Sequence, residues 1–218
     1  MRKYQGCVAL LACVLVACDA HPEHGGPDMP AAASSASPTQ RVTSAARSAS
    51  VYTDTDWNFR IDVASDWKIE HDFAHGYLAN GAWKTYAAPD PHGVPVVALI
   101  VPGSNQITSA EIRIGASRDA NEVARCTAPP DSVRAGSLHS ERIDGAEFTT
   151  FEASDAAMSH YLDVRSFRSV HDGTCYAIDL LVYGTNPQVY DPPATPPFSK
   201  EQAFARMRAV LQSFRFTR

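Results

Sequence analysis

The chain has 218 residues, 44% of them hydrophobic and 20% charged, with 19 basic against 24 acidic side chains and a formal net charge of −5. An acidic balance without a basic stripe excludes the electrostatic footprint of a nucleic-acid binder and supplies no polybasic patch for anionic lipid. The acidic residues are scattered, which is the pattern of a solvated surface and not of an acidic docking face.

At the N-terminus, Arg2 and Lys3 precede an apolar run from Cys7 to Ala17 within "GCVALLACVLVACDA". A positive n-region followed by an apolar h-region of about a dozen residues has the form of a secretory signal and falls short of the roughly 20 residues that span a bilayer. Leu15-Val16-Ala17-Cys18 resembles the bacterial lipobox. That resemblance implies that residues 1–17 are a lipoprotein signal peptide and that Cys18 is acylated, in the manner of a palmitate-bearing lipoprotein, and becomes the first mature residue. Durable anchoring takes more than one acyl chain, at about 0.8 kcal/mol per buried methylene. Asp19 follows directly, where some Gram-negative bacteria read an aspartate as a signal for inner-membrane retention. The expectation is a lipid-anchored protein of the cell membrane facing the periplasm, with the inner membrane favoured over the outer. Without Arg2 and Lys3 the mature chain keeps 17 basic and 24 acidic side chains, a formal charge of −7.

Five cysteines become two once processing is applied. Cys7 and Cys13 leave with the signal, Cys18 is taken by lipid, and Cys126 and Cys175 remain. One pair in an oxidising compartment has a single intramolecular connectivity, so a disulfide is expected, tying a helix end to a strand. Closing a loop of about 50 residues restrains the unfolded chain by roughly 4 kcal/mol in the entropic account. A catalytic thiol or a metal site finds no local support, since neither cysteine sits in a Cys-x-x-Cys or a Cys/His cluster.

Residues 18–50 comprise the lipidated cysteine and an Ala/Ser/Pro-rich stretch ("DMPAAASSASPTQ"), the composition of a flexible tether. His21, Glu23 and His24 lie close together in it, but flexible ligands lack the outer shell that fixes a metal, so no metal and no cofactor are expected. Residues 51–218 have the length of one domain with a substantial core.

Within that domain, "NFRIDV" places Phe59, Ile61 and Val63 on one face, and "WKIEHDF" repeats the alternation with Trp67, Ile69 and Phe73, so both read as strands. "VPVVALIV" at 94–101 is apolar without alternation, as in a strand covered on both faces. "SRDANEVARC" predicts a short helix ending near Cys126. Asp172-Gly173 is a two-residue hairpin turn, and "YAIDLLVY" after it puts Tyr176, Ile178, Leu180 and Val182 together. "SKEQAFARMRAVLQ" predicts a second helix, with Ser199 and Gln202 as a capping box and Phe204, Met207 and Leu211 at helical spacing. "SFRF" then alternates Phe214 and Phe216 with Arg215, as a last strand would.

The opening strand, the turn and Trp67-led second strand, the meander with its hairpin, and the amphipathic helix running into "LQSFRF" together resemble the PsbP-like fold of the extrinsic photosystem II protein and of many small bacterial lipoproteins. The resemblance implies an α+β domain over 51–218, an antiparallel sheet flanked by helices in an α/β/α sandwich. It also implies a habit of serving as an accessory or binding module, with no catalytic residue set.

A search for chemistry agrees with that habit. There is no Gly-x-Ser-x-Gly elbow, His-Glu-x-x-His or phosphate-cradling glycine loop. His71, His160 and His171 with Asp163 and Asp172 are the acid/base candidates, and their spacing carries no motif. His171 reads as a solvated hairpin tip, and His71 as a hydrogen-bonded histidine at the sheet edge in phase with Trp67, Ile69 and Phe73. The segment "GTNPQVYDPPATPPF" at 184–198 holds five prolines and Tyr190, a stiff extended surface suited to contacting a partner. The opposing reading lays it over the sheet edge with Tyr190 buried. The expected function is a non-catalytic accessory protein, anchored in the membrane through its lipid alone, that binds a protein partner in the envelope. An immunity or inhibitor lipoprotein against an envelope toxin, and an envelope hydrolase, are the alternatives.

Overall fold

The computed structural model describes residues 49–74 and 82–217. Cys18, the lipobox and the His21/Glu23/His24 cluster lie outside the described residues. Two antiparallel sheets make up the fold. The smaller has β2 (Phe59–Ala64) at its centre, with β1 (Ala49–Asp54) on one side and β10 (Arg215–Phe216) on the other. The larger has seven strands, β3 (Lys68–Glu70), β4 (Val94–Ile100), β5 (Thr108–Ser117), β6 (His139–Ile143), β7 (Ala146–Ala157), β8 (His160–His171) and β9 (Thr174–Thr185), in the order β3-β4-β5-β9-β8-β7-β6. Among the described residues there are two α-helices, α1 (Ala120–Ala124) and α2 (Lys200–Leu211). The α+β class expected from the sequence is what the chain adopts. β1 opens at Ala49, two residues before the domain boundary read at 51.

Period-2 side-chain alternation divides the large sheet into two faces. On the first, Tyr176, Ile178, Leu180 and Val182 of β9 lie beside Ile112 and Ile114 of β5 and form the main core with Phe59, Ile61 and Val63 of β2 and Phe204, Met207 and Leu211 of α2. The first face is therefore covered jointly by a helix and by the small sheet. The Ser199 hydroxyl accepts from Gln202 N at 3.2 Å and the Gln202 side chain accepts from Ser199 N at 2.9 Å, so the capping box fixes where α2 begins.

The second face is covered by the one-turn helix α1 and by the loops before and after it. Cys126, just past α1, is bonded to Cys175 of β9, with Cα atoms 5.5 Å apart. Trp83 packs against this disulfide and Ala177. Its approach explains Gly115 in β5, where an added Cβ would collide with the Trp83 backbone carbonyl. At the start of β9, directly before Cys175, the Asp172-Gly173 turn has φ of 45° and 70°, the two positive values that a type I′ hairpin requires.

The stretch "WKIEHDF" departs from expectation, because only Lys68–Glu70 are strand. Trp67 turns into the first-face core from a tight turn in which its N–H donates to Ala64 O at 3.0 Å. Ile69 is 39% exposed, and Phe73 is buried with the Arg113 guanidinium 5.1 Å from its ring centre, on the second face. The three side chains do not share a face, because the chain leaves β4 after Glu70 and crosses the sheet edge.

Candidate functional site

The proline-rich segment is held at both ends. Asn186 N donates to Ser159 O at 2.7 Å, tying the exit of β9 to the tip of the β7–β8 hairpin. The Asn186 side chain accepts from Gln188 N at 3.0 Å and caps a 3-10 turn at Pro187–Val189. Ala194 N donates to Pro187 O at 3.1 Å and closes the neck of the loop. At the other end Phe198 is buried in the main core, directly before the capping residue Ser199. A loop so pinned presents its tip at little entropic cost.

At that tip Val189 is 53% exposed and Tyr190 is 38% exposed. The Tyr190 N–H donates to Pro187 O at 3.4 Å. Beside the tip runs an open groove of about 580 Å³, walled by Pro187, Pro196, Pro197 and Tyr161 and flanked by Asp163 and Lys200. Lys200 Nζ stands 3.1 Å from Asp163 Oδ2. Tyr161 shares a hydrogen bond of 2.8 Å with Thr108, and burial is the main cause raising its phenol pKa. A second groove of about 420 Å³ adjoins the first through Tyr161 and Pro187 and carries Met158, which is 83% exposed, on its wall. This end of the sheet thus gathers exposed apolar side chains around a stiff frame, with one ion pair at the edge.

The acid/base candidates do not gather into one site. His160 and His171 stand at opposite ends of the twelve-residue strand β8, roughly 36 Å apart at about 3.3 Å per residue. His160 Nδ1 is 3.4 Å from Thr185 Oγ1. His171 is no freely solvated tip, since its ring stacks on Phe216 with centroids 3.9 Å apart, and its Nε2 is 3.6 Å from Asp172. His71 is exposed, with Nδ1 3.1 Å from Val96 O. Asp163 is shared by Lys200 and Arg134. Among the described residues no group of three or more His, Cys, Asp or Glu stands in position to hold a metal ion, and no helix is long and apolar enough to cross a membrane.

Sequence reasoning missed the buried charges of the second face. Arg168 of β8 and Asp179 of β9 meet there, joined by Ser166 Oγ, which donates to Asp179 Oδ1 at 2.6 Å, and by Thr85 N, which donates to Oδ2 at 2.8 Å. Nearby, Lys84 Nζ lies 2.6 Å from Glu122 Oε2 with both side chains mostly buried. The available signal was Asp179 itself, the one charged residue in "YAIDLLVY", since a strand covered on both faces holds a carboxylate only with partners.

No family model matches the chain, and no curated protein matches it. Among solved structures it is similar to the solution structure of cyanobacterial PsbP (CyanoP) from Synechocystis sp. PCC 6803, at 10% identity and a TM-score of 0.40, over 78% of this chain and 93% of that one. The likeness is one of fold.

Proposed function

We propose that the chain is a lipid-anchored envelope protein, held through Cys18 and facing the periplasm, that acts without catalysis by binding a partner protein at the proline-framed end of its large sheet. The observation that carries the reading is the placement of Tyr190 and Val189, outside the core on a loop closed at its neck and pinned at both ends. Aromatic side chains on rigid supports are enriched among the residues that dominate protein interfaces. The adjoining grooves add apolar walls bordered by the Lys200–Asp163 pair, an apolar centre with a polar rim of the kind that specific interfaces use.

The anchor is tested by fatty-acid labelling. Wild-type protein should incorporate label and the Cys18→Ser variant should remain an unprocessed, unlabelled precursor. The binding surface is tested by capturing tagged protein from membranes and comparing it with Tyr190→Ala. Partner recovery should fall severalfold while the melting temperature stays within about a degree, because surface substitutions usually change stability by no more than ~0.5 kcal/mol. Unchanged recovery places the contact elsewhere, and a loss of recovery proportional to a loss of stability makes Tyr190 a packing residue.

A further inference from the structure

A separate cleft opens on the first face, where α2 leaves the outer strands uncovered. α2 packs over β9, β5 and β2, so a gap remains beside it, bordered by first-face side chains of β6, β7, β8 and β9. The cleft measures about 200 Å³, roughly the space of seven water molecules at about 30 Å³ each. Phe167 and Leu180, both buried, form its floor, and Glu141, Glu152, Arg165 and Arg208 form its walls.

The walls alternate in sign. Arg208 reaches from α2 across the Phe167 ring, 5.4 Å from its centre, to pair with Glu141 of β6. Arg165 lies 4.2 Å from the centre of the Phe204 ring and 3.1 Å from Glu152 Oε1, its directly opposite neighbour on β7. Two guanidinium groups and two carboxylates thus face one apolar floor. Burial lowers the Arg208 pKa.

A ligand with one net charge meets repulsion from half of this ring. A ligand carrying both charges on an apolar body meets an opposite charge at each end. Arg165 and Glu152 are both partly exposed, and exposed ion pairs contribute about 0–1 kcal/mol, so exchanging a wall partner for a ligand group costs little. Arg134 also holds Glu152, at 2.7 Å, and keeps that carboxylate in place when Arg165 turns to a ligand.

We infer that this cleft binds a small amino-acid-like zwitterion with an apolar side chain, its carboxylate taken by Arg165 and Arg208, its ammonium by Glu141 and Glu152, and its side chain laid on Phe167 and Leu180. The site is lined by residues other than those of the proline-framed groove and does not depend on the reading of that groove. Free amino acids and short peptides share this chemistry.

Titration calorimetry of the purified protein tests the inference, with L-leucine, leucinamide, N-acetylleucine and leucyl-leucine as probes. Leucine or leucyl-leucine should bind, and whichever of the two binds tighter names the source. Leucinamide, which lacks the carboxylate, and N-acetylleucine, which lacks the ammonium, should each bind at least tenfold more weakly. Glu152→Gln and Arg165→Gln should each weaken the zwitterion at least fivefold with the melting temperature held. No zwitterion binding at millimolar concentration, singly charged probes binding as well as zwitterions, or affinity unchanged in both variants overturns the assignment.

Discussion

Asp179 takes both terminal nitrogens of Arg168, Oδ1 at 2.7 Å from Nη1 and Oδ2 at 3.2 Å from Nη2, in a site where both residues are almost wholly withdrawn from solvent. The pair is bidentate, and Ser166 and Thr85 N donate to Asp179 while the carbonyls of Phe167 and Thr85 accept from Arg168. Such a pair fixes the alignment of β8 with β9 and holds the Thr85 segment down on the sheet.

Removing one partner leaves the other as a buried charge. Asp179→Ala is expected to cost about 3–5 kcal/mol, while replacing both residues with apolar ones of similar volume, as in Arg168→Met with Asp179→Leu, should recover most of that loss. Urea denaturation midpoints decide it. A double variant no more stable than the single one shows that the network as a whole, and not the orphaned charge, sets the cost.

Tyr86 gives a pH-dependent expectation. Burial is the largest cause, followed by the charges of Asp155, Asp179 and Asp163, and together they push its phenol up to about 12. The Tyr86 hydroxyl is buried and has no hydrogen-bond partner among the described residues. Between the ordinary value of 10.0 and the raised one, the folded state holds the proton that the unfolded state has released, so stability falls as pH rises through that window and is unaffected below it. Tyr52, also raised to about 12, acts in the same direction. Tyr86→Phe should leave stability at neutral pH unchanged or slightly higher and should flatten the decline above pH 10, as followed by thermal melts across pH 7 to 11.

Leu211 and Gln212 are neighbours with opposite surroundings. Leu211 ends α2 fully buried in the main core, and Gln212 is exposed at the helix C-cap. Leu211→Ala should cost about 2–5 kcal/mol through lost burial and the cavity left behind. Gln212→Ala should change stability by less than ~0.5 kcal/mol. Chemical denaturation of the two variants measures the contrast.

The elements that the sequence announced were those whose pattern had one physical cause. β2 alternates because one face meets the core, α2 carries its cap and its apolar stripe, and the β8–β9 turn needs two positive φ values that Asp-Gly tolerates. β5 was harder to read, because "EIRIG" buries Glu111 and Arg113 against each other on the second face, and charged residues there look like a solvated side. Trp67, Ile69 and Phe73 alternate in sequence yet separate in space, since three residues of strand cannot impose a period on seven. The charged cleft was invisible for another reason. Glu141, Glu152, Arg165 and Arg208 come from four elements spread over nearly seventy residues, and only the strand order puts them around one floor.

β2 sits between the first strand of the domain and the last. Its Phe59 ring stacks on Phe214 with centroids 5.5 Å apart, across almost the whole length of the domain. The β1–β2 pair of the small sheet is local, and its third strand joins only once residues 215–216 are in place. Until α2 and β10 arrive, β2 can pair with β1 and face β5 and β9, but Phe59 lacks the Phe214 ring and one edge of β2 lacks its neighbour. Loop closure over such distances is slow compared with local pairing. Loss of Phe214 and β10 would strip Phe59 of its stacked ring and leave one edge of β2 unpaired.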